Sequence, residues 1–223
     1  MKNPKIYIVL VLLAILVLVF YFIKNKVNNK TEEQRVELKE KKALTDSAFY
    51  TLNPSESSVV WQAKKTFIVD SMDEGFISIN SGEFETKNGE VTKGFVLVDM
   101  QSIRASKTAK GGGEDMLSGH LKSADFFDVE NFPTSKFEIT SIKKVSDIEY
   151  VLIGDLTIRN ITKSIEAPMS FYELEGRAHI EGVLVVDRSL FEVKFGSKNF
   201  FKDLGDKTID DNFTLKLNLI ANK

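Results

Sequence analysis

From Phe49 to its end the chain reads as an all-β protein, an antiparallel β-barrel with a short helix at the barrel mouth. Three observations predict this. Apolar and polar residues alternate with period two through most of the stretch, which turns one face of each strand to a core and the other to water. Turn-forming pairs, Asn88-Gly89, Arg159-Asn160 and Glu175-Gly176, stand where hairpins need them. The later strands also run to about ten residues, a length that suits a closed barrel better than a small sandwich.

Ahead of the barrel, residues 6–23 form an eighteen-residue run without a charge. As a helix it measures about 27 Å at about 1.5 Å per residue, close to the hydrocarbon core of about 30 Å. Phe20, Tyr21 and Phe22 lead directly into Lys24 and Lys26 with no small-x-small cleavage site, so the run predicts an uncleaved transmembrane helix and residues 1–23 a membrane anchor. Lysines flank it on both sides and give no orientation. Residues 24–46 are rich in Lys, Glu and Asn, a charged linker that spans at most about 75 Å when extended. Residues 47–223 make one barrel domain.

The period-two segments predict strands over residues 49–53, 57–63, 75–79, 82–86, 91–100, 137–145, 148–158, 164–174, 177–187, 191–197 and 212–221. The last is the cleanest, with Phe213, Leu215, Leu217 and Leu219 alternating against Thr214, Lys216 and Asn218. Between the fifth and sixth segments the pattern changes. Met116, Leu117, His120, Leu121 and Ala124 recur at helical spacing, with Ser118, Lys122 and Ser123 on the other face, so a helix of about two turns lies on something apolar. Phe126, Phe127 and Phe132 follow, then Pro133, and a strand resumes.

Composition removes several functions. Residues 1–30 carry five lysines and no acid, which leaves 25 basic against 32 acidic residues, −7, for the rest. No basic run interleaved with aromatics follows, so a nucleic-acid partner is not expected. The absence of cysteine excludes disulfides, thiolate catalysis and Cys-ligated zinc. Of the two histidines, His120 stands five residues from Asp115, off the i, i+4 spacing of a helical metal site, and reads as a packed ring, while His179 takes the outward parity of its strand. Gly111-Gly112-Gly113 lacks the lysine-serine pair of a phosphate loop and reads as a flexible lead into the helix, with Glu114 and Asp115 complementing its dipole. Ser189 has no glycine elbow. No catalytic residue, metal ligand or cofactor is assigned, and the chain is read as non-enzymatic.

Several long motifs carry a resemblance. GHLKSADFFDVENFPTSKFEI (residues 119–139), GDLTIRNITKSIEAPM (154–169), DRSLFEV (187–193), VVWQAK (59–64), GFISINSGEF (75–84) and GFVLVDMQSI (94–103) together resemble the YceI-like family over roughly residues 48–222. The resemblance implies a lipocalin-like barrel, a periplasmic or secreted location, and binding of a polyisoprenoid or other long-chain amphiphile inside. Many members carry a histidine just before the glycine matching Gly75, where this chain has Asp73 and Glu74. Members are usually exported with a cleaved signal, and an anchored form differs in that respect.

The large apolar residues placed inside are Trp61, Phe84, Phe95, Leu97, Phe137, Ile139, Leu152, Leu156, Met169, Phe171, Leu184, Phe191, Phe195, Leu215 and Leu217, which fill a core or line a ligand. With the resemblance they are taken as ligand-lining. The reading is a carrier of a polyisoprenoid or fatty amphiphile at the cell envelope, held to the membrane by residues 6–23 with its barrel periplasmic or otherwise extracytoplasmic. The alternative is a solid-core structural or interaction module. A homodimer is left open.

Overall fold

The computed structural model describes residues 47–66, 72–205 and 208–223. The expected anchor, residues 1–23, and the linker, residues 24–46, lie outside the described residues. Among those described, no helix is long and apolar enough to cross a membrane.

Nine described strands form one antiparallel sheet: β1 (Ser47–Leu52), β2 (Ser58–Lys64), β3 (Met72–Lys87), β4 (Glu90–Lys107), β5 (Thr134–Lys144), β6 (Glu149–Ile158), β7 (Ile161–Leu174), β8 (Arg177–Asp187) and β9 (Asn212–Asn222). Both β1 and β2 neighbour β3 and β9: Val59 pairs with Ile77 and Leu217, and Leu52 pairs with Ala221. The two short strands therefore follow one another along a single stave, and the pairing of β3 with β4 closes an eight-staved barrel. Among the described strands, closure pairs both edges of the sheet.

Three tight turns hold positive φ at both central residues, Asn88 and Gly89 at 54° and 79°, Arg159 and Asn160 at 51° and 59°, Glu175 and Gly176 at 54° and 77°. This left-handed pair matches the right-handed twist of the strands it joins. Two expected strands, 75–79 and 82–86, are one. A register shift between Ile79 and Ser81 moves the inward parity from Ile77 and Ile79 to Phe84 and Thr86, so a bulge joins the two expected segments.

Residues 191–197 are not a strand. A 3-10 turn, η1 (Arg188–Phe191), is capped by the Asp187 carboxylate accepting from Ser189 N at 2.8 Å, and Glu192 at φ 57° breaks any extension. Helix α1 (Glu114–Lys122) follows three glycines at φ 70°, 78° and 83°, a run of left-handed backbone that residues with a Cβ resist. Leu117 and Leu121 face the barrel, but Met116 is 80% exposed and Ala124 is exposed as well. Ser118, expected to face out, instead accepts from Ala105 N at 2.8 Å and ties the helix to β4. The helix thus turns Ser118 toward β4 and Met116 toward solvent.

Candidate ligand cavity

The inward side chains do not fill the barrel. They surround a cavity of about 230 Å³ with an aliphatic and aromatic wall. Of the residues placed inside from sequence, Trp61, Phe84, Phe95, Phe137, Ile139, Leu152, Leu156, Met169, Phe171, Leu184, Leu215 and Leu217 bound it. Leu97, Phe191 and Phe195 do not. On β4 the inward parity belongs to Val96, Val98 and Met100, which places Leu97 on the other side. Phe191 is fully buried on η1, outside the cavity wall, and Phe195 lies in the following loop, 41% exposed.

Space inside is made by glycines. Trp61 is directly opposite Gly75, and a Cβ on that glycine would stand 1.9 Å from the Arg104 carbonyl oxygen and 2.5 Å from Trp61 Cζ2. Met169 lies across Gly182, and the Phe137 ring covers Gly154, in the same way. Each large side chain thus lies flat over a neighbour without one, turning bulk along the wall instead of across the lumen.

The cavity also has contributions that strand parity alone does not reveal. Leu117 and Leu121 of α1, then Phe126 and Phe127, reach its wall. So do the polar residues Asp73, Ser135, Arg188 and Asp210. Of the two acids that precede Gly75, Asp73 accepts from Ala109 N at 2.8 Å, and Glu74 accepts from the Gln62 side-chain amide. Both carboxylates are thereby committed to the scaffold.

Arg188 is 3% exposed, and nothing in the sequence reading singled it out. Its Nε donates to the Asp210 carbonyl at 3.1 Å, Nη1 donates to those of Val193 at 2.7 Å and Phe195 at 2.8 Å, and Nη2 donates to that of Ile209 at 3.2 Å while lying 3.3 Å from the Asp211 carboxylate. Burial pulls the guanidinium below its ordinary pKa, and Asp211, Asp187 and Asp210 oppose that pull. With its fork engaged on all sides, Arg188 clamps η1 and the segment leading into β9 instead of presenting donors to a ligand. The signal available in sequence was an arginine two and three residues ahead of an apolar pair, Leu190 and Phe191, in the motif DRSLFEV.

The histidines also have places. His120 packs edge-on against Phe126 at 5.1 Å and Phe195 at 4.4 Å, while His179 is half-buried and stacks on Tyr172 at 5.1 Å. No group of three His, Asp or Glu suited to a metal ion occurs among the described residues.

The YceI-like domain model matches residues 50–221. The UPF0312 protein plu2095 of Photorhabdus laumondii is 30% identical over 104 residues, 47% of this chain and 53% of that one. Protein YceI of Escherichia coli O6:H1 is 33% identical over 82 residues, covering 37% of this chain and 39% of that one. The chain thus spans about half or less of these relatives' lengths. Among solved structures, BcnA of Burkholderia cenocepacia superposes with a TM-score of 0.61 at 20% identity, covering 77% of this chain and 99% of BcnA. A polyisoprenoid-binding domain from Saccharophagus degradans, implicated in plant cell wall breakdown, gives 0.55 at 12% identity, covering 78% of this chain and 97% of that domain. At such identities the structural likeness establishes the fold, while the match over residues 50–221 establishes kinship: the chain belongs to the YceI-like family.

Proposed function

We propose that the barrel is a non-enzymatic carrier that holds the chain of a long amphiphile, of polyisoprenoid or fatty-acyl type, in its interior at the cell envelope. The observation that carries this reading is the cavity of about 230 Å³ walled by aliphatic and aromatic side chains. A solid-core module would have no use for glycines that hold the wall open. Burying a chain there gains about 0.8 kcal/mol per methylene, so affinity needs few polar contacts. The polyisoprenoid-binding neighbour supports the ligand class. Residues 6–23 supply the anchor in this reading, with the barrel on the extracytoplasmic side beside its lipid source.

The test is to purify the full chain, extract it with organic solvent and identify bound lipid by mass spectrometry, with native mass spectrometry reporting whether the particle is a monomer or a homodimer. One amphiphile per chain is expected. Repeated absence of lipid returns the protein to the interaction-module reading. Membrane fractionation, N-terminal sequencing of the mature chain and a reporter fused after Lys223 test the anchor and its orientation. A mature N-terminus near Thr31 overturns the anchor.

A further inference from the structure

The barrel end that carries α1 and η1 has an unusual surface. Leu190, Phe195, Phe200 and Phe201 are 49%, 41%, 43% and 49% exposed, and Met116 is 80% exposed. They are neighbours. Phe200 N and Phe201 N both donate to the Ser197 carbonyl, which sets the two rings on one turn, and Asn199 Nδ2 donates to Ser189 Oγ at 3.3 Å, which ties that turn to η1. Phe195 reaches α1 through His120, and Met116 lies one helical turn before His120 on the same face.

This apolar surface is continuous with the cavity. Phe195 packs on Phe126 at 5.5 Å, and Phe126 is part of the cavity wall. Lysines are also gathered here. Residues 193–202 hold Lys194, Lys198 and Lys202 and no carboxylate, although the chain beyond residue 30 is net acidic; Glu192, 3.6 Å from Lys194 Nζ, and Asp203 border the run. Lys194 Nζ stands 5.1 Å from the centre of the Phe200 ring, so a cation and an aromatic face are presented together.

The geometry points to a docking surface for an anionic bilayer: Phe195, Phe200, Phe201 and Leu190 enter the headgroup layer while Lys194, Lys198 and Lys202 pair with lipid phosphates. Aromatic rings favour that depth, and each lysine near an anionic surface strengthens binding about fivefold, so the three together contribute about a hundredfold. This deepens the carrier reading by naming the end through which lipid passes, and it rests on that reading for its purpose only.

The experiment places a tryptophan reporter at Phe200 in the full chain, reconstituted in phosphatidylcholine vesicles with or without phosphatidylglycerol and containing brominated lipid as quencher. Phe200→Trp is expected to be quenched in the anionic vesicles, to lose that quenching at raised salt, and to lose it when Lys194, Lys198 and Lys202 are all changed to Gln. Phe49→Trp, 66% exposed on β1 at the opposite end, is the reference for chance encounters near an anchored chain. Equal quenching of the two reporters, quenching indifferent to lipid charge, or shielding of Phe200→Trp that depends on protein concentration without lipid overturns the proposal, the last in favour of a second copy of the chain. Extracted lipid is measured separately, so a carrier that docks by another face is told apart from a protein that carries nothing.

Discussion

The two ends of the barrel are closed by different means. At the end bearing the turns at 88–89 and 175–176, the strands close it themselves. Tyr50 stacks on Phe84 at 4.8 Å and 7°, Phe171 meets both rings edge-on, and Tyr150 meets Phe171 edge-on at 6.3 Å. Tyr50 is 1% exposed, and Ala178 and Ala221 alongside are fully buried. At the other end the closure is borrowed from connections: a nine-residue helix, a four-residue turn, and the loop that Arg188 holds. Dense interlocking rings open only with the barrel, whereas a short helix and a loop open locally at lower cost. The ring stack is therefore a plug, and the helix and loop are a lid.

The lid depends most on Arg188. Removing the guanidinium leaves the Asp211 carboxylate buried without its cation and four carbonyls without their donor. Arg188→Met is therefore expected to lower stability by about 3–5 kcal/mol, read as a lower midpoint in urea. Arg188→Lys recovers little of this, because one ammonium cannot span the four carbonyls. A loss below about 1 kcal/mol would show that the loop holds without its clamp.

Gly75→Ala tests the wall between the two ends. The added methyl meets the Arg104 carbonyl, which is backbone, and Trp61, whose Nε1 donates to that same carbonyl at 3.2 Å. Overpacking of this kind costs about 1–3 kcal/mol. The cost is expected to come with altered Trp61 fluorescence, which separates strain at this contact from general loosening.

Leu217→Trp then probes the space itself. Leu217 pairs with Val59 and Gly182 and bounds the cavity, so a larger ring has somewhere to go. The melting temperature should hardly move while extracted lipid falls severalfold, and exposed Lys216→Trp should alter neither. A drop in stability with no change in lipid would mean that the lumen is narrower than about 230 Å³ suggests.

How much of this was legible depends on whether one residue's neighbours or distant ones decide its place. β9 alternates from Phe213 to Leu219, so Leu215 and Leu217 read as inward and do bound the cavity, and the three turns were announced by pairs that contain Asn or Gly. On β4 Phe95 reaches the cavity wall but Leu97 does not, because Val96, Val98 and Met100 are as apolar and side-chain size does not report direction. Phe191, Val193 and Phe195 imitate a strand in sequence. Their spacing is set by carbonyls turned onto Arg188, a tertiary constraint with no local period. The lid was thus hardest to read because side chains distant in sequence, not a ladder, shape it.

The plug yields the smallest effect, and a pH dependence. The Tyr50 hydroxyl donates to Glu173 Oε1, and its pKa is pushed up from 10.0 to about 12, first by burial and then by that carboxylate. The neutral phenol is the form the fold favours, so its contribution to stability is whole below pH 10 and is lost as pH rises through about 12. Tyr50→Phe keeps the ring stacked on Phe84 and removes only the titrating proton and its bond, which at neutral pH should cost about 1 kcal/mol or less. Urea midpoints for both proteins, measured from neutral pH upward, should converge across this window, since lysines and the other tyrosines titrate alike in each. Parallel curves would mean that water reaches the hydroxyl and Glu173 already, and that the plug is as open as the lid.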